Sequence, residues 1–287
     1  MIGHPRPLSR PGRFFGSERL SLVPDCSAPV LERRCFATLR VVVALILREM
    51  STRYGRTPGG YIWAVLEPIG IISALAVGFS LLVPTPSLGR SFLLFYATGF
   101  IPFQVYQSVA GTVARAIQFS RPLLLYPSVT WIDALLARGM LNGLTTILVG
   151  YMIFAGILLS SSTGAVIDIG SIVLSFALAG LLGFAVGVMN CFLMGVFSAW
   201  DVVWSIATRP LFLISGVFFT YEDLPAQVQG LVWFNPLVHI VGLMREGFYP
   251  MYSTPAASVV FVVFVAMPLM AAGMVLLRRF HKDIINA

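Results

Sequence analysis

Long apolar stretches broken by short clusters of proline, serine and charge dominate the chain. A helix rises about 1.5 Å per residue, so about 20 apolar residues cross roughly 30 Å of hydrocarbon. Six windows meet that length: Tyr61–Val83, Phe92–Val113, Gly139–Leu159, Ile169–Gly195, Val202–Phe219 and Ser258–Leu277. Pro84 and Pro86 end the first, and Ser160-Ser161-Ser162 follows the third. The pattern predicts an all-α polytopic membrane protein with six transmembrane helices. An N-terminal interface helix and a re-entrant outer helical hairpin complete the expected fold.

Two stretches carry helical periodicity without the length to span. Phe36, Leu39, Val43, Ile46 and Met50 recur on one face, with Arg33, Arg40 and Arg48 on another. That is the pattern of an amphipathic helix lying on a membrane surface. The competing reading, the start of the first span, meets Arg48, Glu49, Arg53 and Arg56, which are costly in hydrocarbon. The segment Tyr221–Ala257 is broken at Asn235-Pro236, because proline lacks the N–H and clashes with the preceding turn. Asp223 is placed to cap the first piece, and Leu237–Phe248 forms the second. Each is too short to cross, which predicts a re-entrant hairpin buried in protein. A seventh span would instead move Arg278, Arg279 and Lys282 to the outside. Residues 114–138 are long for a simple turn and hold Arg115, Arg121, Tyr126, Trp131 and Asp133. Ser128 is expected to cap a short helix through Ala137. This loop reads either as a dock for a soluble partner or as a solvated connector. In the fourth window Ala179, Gly183, Gly187, Cys191 and Gly195 form a small-residue stripe. It permits close helix packing within the chain or against a second copy.

Composition sharpens this picture. Of the 287 residues, 57% are hydrophobic and 11% charged, against about a quarter charged in soluble domains. Disorder, a coiled coil and an ordinary soluble enzyme are excluded. The net charge of +7 points to membrane topology and not to nucleic acid. With an inside N-terminus, seventeen of the nineteen Lys and Arg fall on the cytoplasmic side, and only Arg90 and Arg245 fall outside. Both termini are expected in the cytoplasm. Residues 1–34, rich in Arg, Pro and Ser, read as a flexible cytoplasmic tail. They lack the apolar core of a secretory signal. The transmembrane domain is expected over 35–282, with the interface helix at 35–58.

The chemistry is notable for what it lacks. The single lysine, Lys282, is followed by Asp283, so no phosphate-binding Gly-x-x-x-x-Gly-Lys-Ser/Thr loop exists. The three Cys and three His are scattered, so no metal site or cofactor is expected. An intramembrane serine hydrolase would pair Ser215 with His239, but Leu213 stands where the nucleophile motif needs glycine. An ion-driven carrier needs an acidic residue at mid-span. Glu67, before Pro68, lies near the inner end of the first window, and Asp201 and Arg209 flank the inner end of the fifth. Transport energy is therefore expected from another chain, and no covalent chemistry from this one.

Several motifs identify a family. Leu47-Arg48-Glu49-Met50-Ser51-Thr52-Arg53-Tyr54-Gly55-Arg56, followed by Gly60-Tyr61-Ile62-Trp63 and Glu67-Pro68, resembles the entry motif of ABC-2-type exporter permeases. Ser215-Gly216-Val217-Phe218-Phe219, Trp233-Phe234-Asn235-Pro236-Leu237-Val238-His239 and Met244-Arg245-Glu246-Gly247-Phe248-Tyr249 bring it closest to inner-membrane permeases that export capsular polysaccharide. The likeness runs from about residue 35 to 280. It implies a homodimer in the bacterial inner membrane, working with cytoplasmic ABC ATPase subunits and with periplasmic and outer-membrane export proteins. The implied cargo is a polysaccharide with a lipid anchor at one end. O-antigen, teichoic acid and a small lipophilic molecule are the alternatives. The resemblance also implies roles. Arg48, Arg53, Arg56, Arg121, Tyr126, Trp131 and Asp133 would couple to the ATPase. Phe218, Phe219, Tyr221, Trp233 and His239 would line the path or its outer gate. Glu67 and Arg209 would stand at the cytoplasmic entry.

Overall fold

The computed structural model describes residues 40–50, 60–124, 129–160, 167–254 and 257–286, and every regular element among them is helical. Residues 40–50 form α1. Then come α2 (Gly60–Ser80), α3 (Phe92–Ala114), α4 (Ala116–Leu124), α5 (Trp131–Ser160), α6 (Ile169–Val196) and α7 (Trp200–Leu213). A single 3-10 turn (Tyr221–Asp223), α8 (Ala226–Val232), α9 (Pro236–Phe248) and α10 (Val259–Asn286) complete the chain.

Four stretches are long and apolar enough to cross a membrane: Ile62–Ser80, Trp131–Ser160, Ile169–Val196 and Val259–Ile284. The chain is therefore a multi-pass membrane protein. The second predicted window becomes α3, the central mast. At 23 residues it reaches about 35 Å. It packs against α2, α5, α6 and α9, and sixteen of its positions are buried. It stands apart from the four because Gln104, Gln107, Ser108 and Thr112 interrupt its apolar character. The fifth window is shorter than expected. Helix α7 stops at Leu213 after 14 residues, about 21 Å, and the chain turns at Gly216, whose φ of 81° favours glycine.

Two helix starts differ from expectation. The 131–138 stretch is not a separate short helix but the first two turns of α5, a 30-residue helix. Thr130 and Asp133 form its reciprocal cap. Thr130 N–H and Oγ donate to Asp133 Oδ2 at 3.0 and 2.7 Å, and Asp133 N–H donates to Thr130 Oγ at 3.3 Å. Ser128, the expected cap, lies outside the described residues. Asp223 closes the 3-10 turn with Thr220 instead of capping the next helix, and Pro225 precedes α8. The Asn235-Pro236 break is where it was predicted. Asn235 accepts from Leu237 N–H at 3.1 Å, with proline at the first helical position.

The core forms around the α3–α6 contact. A Cβ on Gly183 would lie 2.6 Å from the Tyr106 carbonyl oxygen. The small-residue stripe is thus used within the chain, bringing α6 against α3, and its last member, Gly195, meets Ile284 of α10.

Candidate functional site

Polar and charged side chains gather at the end of the bundle formed by α1, the C-terminus of α3, α4 and the starts of α5 and α7. Arg138 is the hub. Its Nη2 and Nε donate to the Glu49 carboxylate at 2.5 and 3.1 Å, tying α1 to α5. Its guanidinium lies 4.5 Å from the Phe119 ring centroid and donates to the Arg115 carbonyl at 3.5 Å. The Arg138 and Glu49 side chains are only 11% and 21% exposed, so this pair is far less screened than a surface bridge. A second pair, Arg115–Asp201 at 2.8 Å, joins the end of α3 to the start of α7 with both partners about half exposed.

Between these pairs lies a basin of about 730 Å3. Two helices turn polar stripes toward it, and a third adds one arginine. Gln107, Ser108, Gly111, Thr112 and Arg115 come from α3, Arg138 from α5, and Asp201, Trp204, Ser205 and Thr208 from α7. The spacings of three and four residues keep each stripe on one helix face. Above it, Ser108 also borders a smaller cavity of about 130 Å3 that holds Glu67, Gln104, Asn142 and Thr146. Asn142 donates to Ser108 Oγ at 2.6 Å, and Thr146 donates to the Asn142 carbonyl at 2.8 Å. Asn142, Ser108 and Thr146 thus satisfy one another, as polar groups must away from water.

The predicted coupling residues scatter around this end. Arg48 borders a cavity of about 210 Å3 beside Phe119 and Leu123. Arg121 is exposed on α4. Trp131 packs near His281 of α10, ring centroids 5.9 Å apart. Asp133, 3% exposed, is held in the helix cap described above. Arg53, Arg56 and Tyr126 lie outside the described residues. Of the two entry residues, Glu67 borders the smaller cavity and Arg209 is exposed on α7.

The opposite end is aromatic. Phe218 stacks among Phe79, Tyr96 and Phe212, with centroids 5.7, 6.5 and 5.1 Å away. Phe219 and Tyr221 follow it, both half-buried. Behind them sits Arg245, the largest fully buried side chain. It donates to the Phe219 carbonyl at 2.7 Å and the Val217 carbonyl at 3.2 Å, and it stacks 4.4 Å from the Phe95 centroid. This arginine therefore braces the turn that presents Phe218. His239 is 2% exposed. Ser258 N–H donates to its Nδ1 at 3.1 Å, which leaves Nε2–H to donate to the Trp233 carbonyl at 2.7 Å. Trp233 packs edge-on to it at 5.3 Å. Ser215 donates to the Phe212 carbonyl at 2.8 Å. Serine and histidine thus engage separate carbonyls and form no hydrolytic dyad. Among the described residues no cluster of three metal-ligating side chains occurs.

The sequence pattern pointed neither to the Glu49–Arg138 and Arg115–Asp201 pairings nor to the amide–hydroxyl stripe of α3. The signal was present: Gln104, Ser108, Gly111 and Arg115 follow helical spacing inside an apolar window.

Comparison with known proteins gives this geometry its setting. The polysialic acid transport protein KpsM of Escherichia coli is 28% identical over 258 residues, covering 90% of this chain and all of that protein. The capsule polysaccharide export inner-membrane proteins BexB of Haemophilus influenzae and CtrC of Neisseria meningitidis serogroup A are each 24% identical over 245 residues. Those alignments cover 85% of this chain and 92% of each relative. Residues 40–249 match the model of the ABC-2 type transporter membrane family. The match takes in both the charged basin and the braced aromatic turn, and the chain belongs to the ABC-2 type transporter family.

Proposed function

We propose that this chain is the membrane-spanning permease subunit of an ATP-driven exporter that carries capsular polysaccharide out of the cytoplasm across the inner membrane. The observation that carries the reading is full-length likeness to KpsM, supported by independent likeness to BexB and CtrC. The chain works as a homodimer beside a pair of cytoplasmic ABC ATPase chains, which hydrolyse the ATP. It hands polymer to periplasmic and outer-membrane export proteins.

In this reading six helices span the bilayer: α2, α3, α5, α6, α10, and α7 together with the turn that follows it. Helices α8 and α9 form a re-entrant hairpin on the outer side. Both termini are cytoplasmic, in keeping with the arginine distribution. Residues 1–34 are assigned as the tail and residues 35–282 as the transmembrane domain, with 35–58 as the interface helix, although residues 1–39 and 51–59 lie outside the described residues. The charged end then faces the ATPase. Arg48, Arg53, Arg56, Arg121, Tyr126, Trp131 and Asp133 form or shape the docking surface, and the Glu49–Arg138 pair passes its movement from α1 to α5. Glu67 and Arg209 stand at the entry. Phe218, Phe219, Tyr221 and Trp233 form the outer gate, with His239 holding its frame. Aromatic faces suit this task because they meet the apolar faces of sugar rings without fixing any one of them.

The test is genetic and direct. Deleting this gene from its host should abolish surface capsule and leave polymer inside the cell, and the intact gene should restore export. Normal surface capsule in the deletion strain would refute the reading.

A further inference from the structure

Helix α10 has two unlike faces. Val262, Ala266 and Leu277 are fully buried, and Gly273 lies against the Met189 backbone of α6. On the opposite face Phe264, Met267, Ala271, Val275, Arg278 and Lys282 follow one another at helical spacing, and all are exposed. This stripe is apolar as far as Val275 and basic from Arg278 onward, with the exposed Arg279 beside it. In a helix long and apolar enough to cross a bilayer, such a face meets lipid. The apolar run from Val259 to Leu277 is about 28 Å long, close to the hydrocarbon thickness of about 30 Å. The basic turn therefore stands at headgroup level. Its cations differ from the arginines of the basin, which are each paired with a carboxylate. Among the described residues no carboxylate forms an ion pair with Arg278, Arg279 or Lys282. Asp283 is the one acidic side chain in the same turn. His281 completes it, donating from Nδ1–H to the Arg278 carbonyl at 3.0 Å, with its ring 5.9 Å from that of Trp131 at the start of α5. Tryptophan beside a basic turn is the pattern of a membrane–water boundary.

We propose that this face of α10 binds one anionic phospholipid of the bilayer, its phosphate held by Arg278, Arg279 and Lys282 and its acyl chains lying along Phe264–Val275. Charge selects the headgroup. Three cations against one carboxylate favour a lipid with net negative charge, and a zwitterionic headgroup brings an ammonium that the same side chains repel. Length selects a lipid over a soluble phosphate. Phe264 to Val275 covers about 17 Å, roughly the depth of one leaflet, so a single continuous face meets both tail and phosphate. A soluble phosphate would use the basic turn alone. The occupant is a component of the membrane and not the cargo, so the inference stands apart from the export function proposed above.

Native mass spectrometry of the full chain, released from detergent micelles containing phosphatidylglycerol or phosphatidylcholine, tests this. The intact chain should retain phosphatidylglycerol about tenfold better than phosphatidylcholine. Arg278→Gln combined with Lys282→Gln should bring the two lipids within about twofold of each other. Arg121→Gln combined with Arg209→Gln removes the same charge from other positions and should leave the preference intact. All four side chains are exposed, so neither pair of changes disturbs the packed core. Excess glycerophosphoglycerol, the same headgroup without acyl chains, should not displace the lipid. Protein from cells unable to make capsular polymer should retain phosphatidylglycerol equally well. An intact chain with no preference, or equal loss of preference in the two variant pairs, would overturn the site, the latter by showing a diffuse cationic field. Displacement by the soluble headgroup, or a retained species that carries sugar and vanishes from the polymer-deficient cells, would overturn its occupant.

Discussion

The two ends of this bundle use arginine in opposite ways. At the charged end Arg138 and Arg115 meet carboxylates on either side of a polar basin, and each joins helices far apart in the chain. At the aromatic end Arg245 is fully buried, donates to two carbonyl oxygens and stacks on a phenyl face, with the Glu222 and Asp223 carboxylates near enough to act on its charge. The half-exposed Arg115–Asp201 pair can open and close, because water and salt compete for both partners. A buried guanidinium spanning two carbonyls cannot let go cheaply, because each carbonyl would be left without a partner. In the proposed function the charged end is the part that moves and the aromatic end the part that holds its shape.

That contrast orders the expected effects of mutation. Arg245→Met should be the most damaging, stranding two buried carbonyls at about 1–3 kcal/mol each. Denaturation in bicelles measures the loss, and Arg245→Lys should recover little of it, since one ammonium does not reproduce the planar fork. Gly183→Leu should follow, at about 1–3 kcal/mol, because its Cβ already meets the Tyr106 carbonyl. A double-mutant cycle on Glu49→Gln and Arg138→Gln should give a coupling of about 1–2 kcal/mol, between the exposed and buried limits for ion pairs. The same cycle on Arg115→Gln and Asp201→Asn should give about 0.2–1 kcal/mol and fade in high salt. If the Arg115–Asp201 coupling equalled or exceeded that of Glu49–Arg138, the graded picture of the charged end would be wrong.

Much of this architecture was legible from the chain. Apolar length located the four spanning stretches and α3, and Asn235-Pro236 marked the start of α9 to the residue. The loop was less legible. Ser128 as a cap argued for a short helix through Ala137, separate from the third span. In the structure α5 simply runs on beyond its apolar part, and Asp133 serves its cap. The end of α7 was misjudged because Ser215-Gly216-Val217 is apolar enough to continue a window, while the backbone turns there. The Glu49–Arg138 pair joins residues 89 apart, and no local pattern announces such a partner. The α3 stripe was readable at helical spacing, but isolated glutamines and hydroxyls in an apolar window draw less notice than charges. Arg245 stood out in the sequence only as a charge on the wrong side. Its carbonyl partners emerge once α9 packs behind the Val217–Phe219 turn.

In the proposed function the charged end converts ATP hydrolysis on a partner chain into movement of polymer. The most direct measurement is ATP hydrolysis by the permease–ATPase complex in lipid nanodiscs, with and without capsular polysaccharide, for the intact chain and for Glu49→Gln. Hydrolysis should respond to polymer in the intact complex and lose that response in the variant while the complex stays assembled. Failure of the chain to form a complex with any ATPase, or a variant whose response to polymer is unchanged, would contradict it.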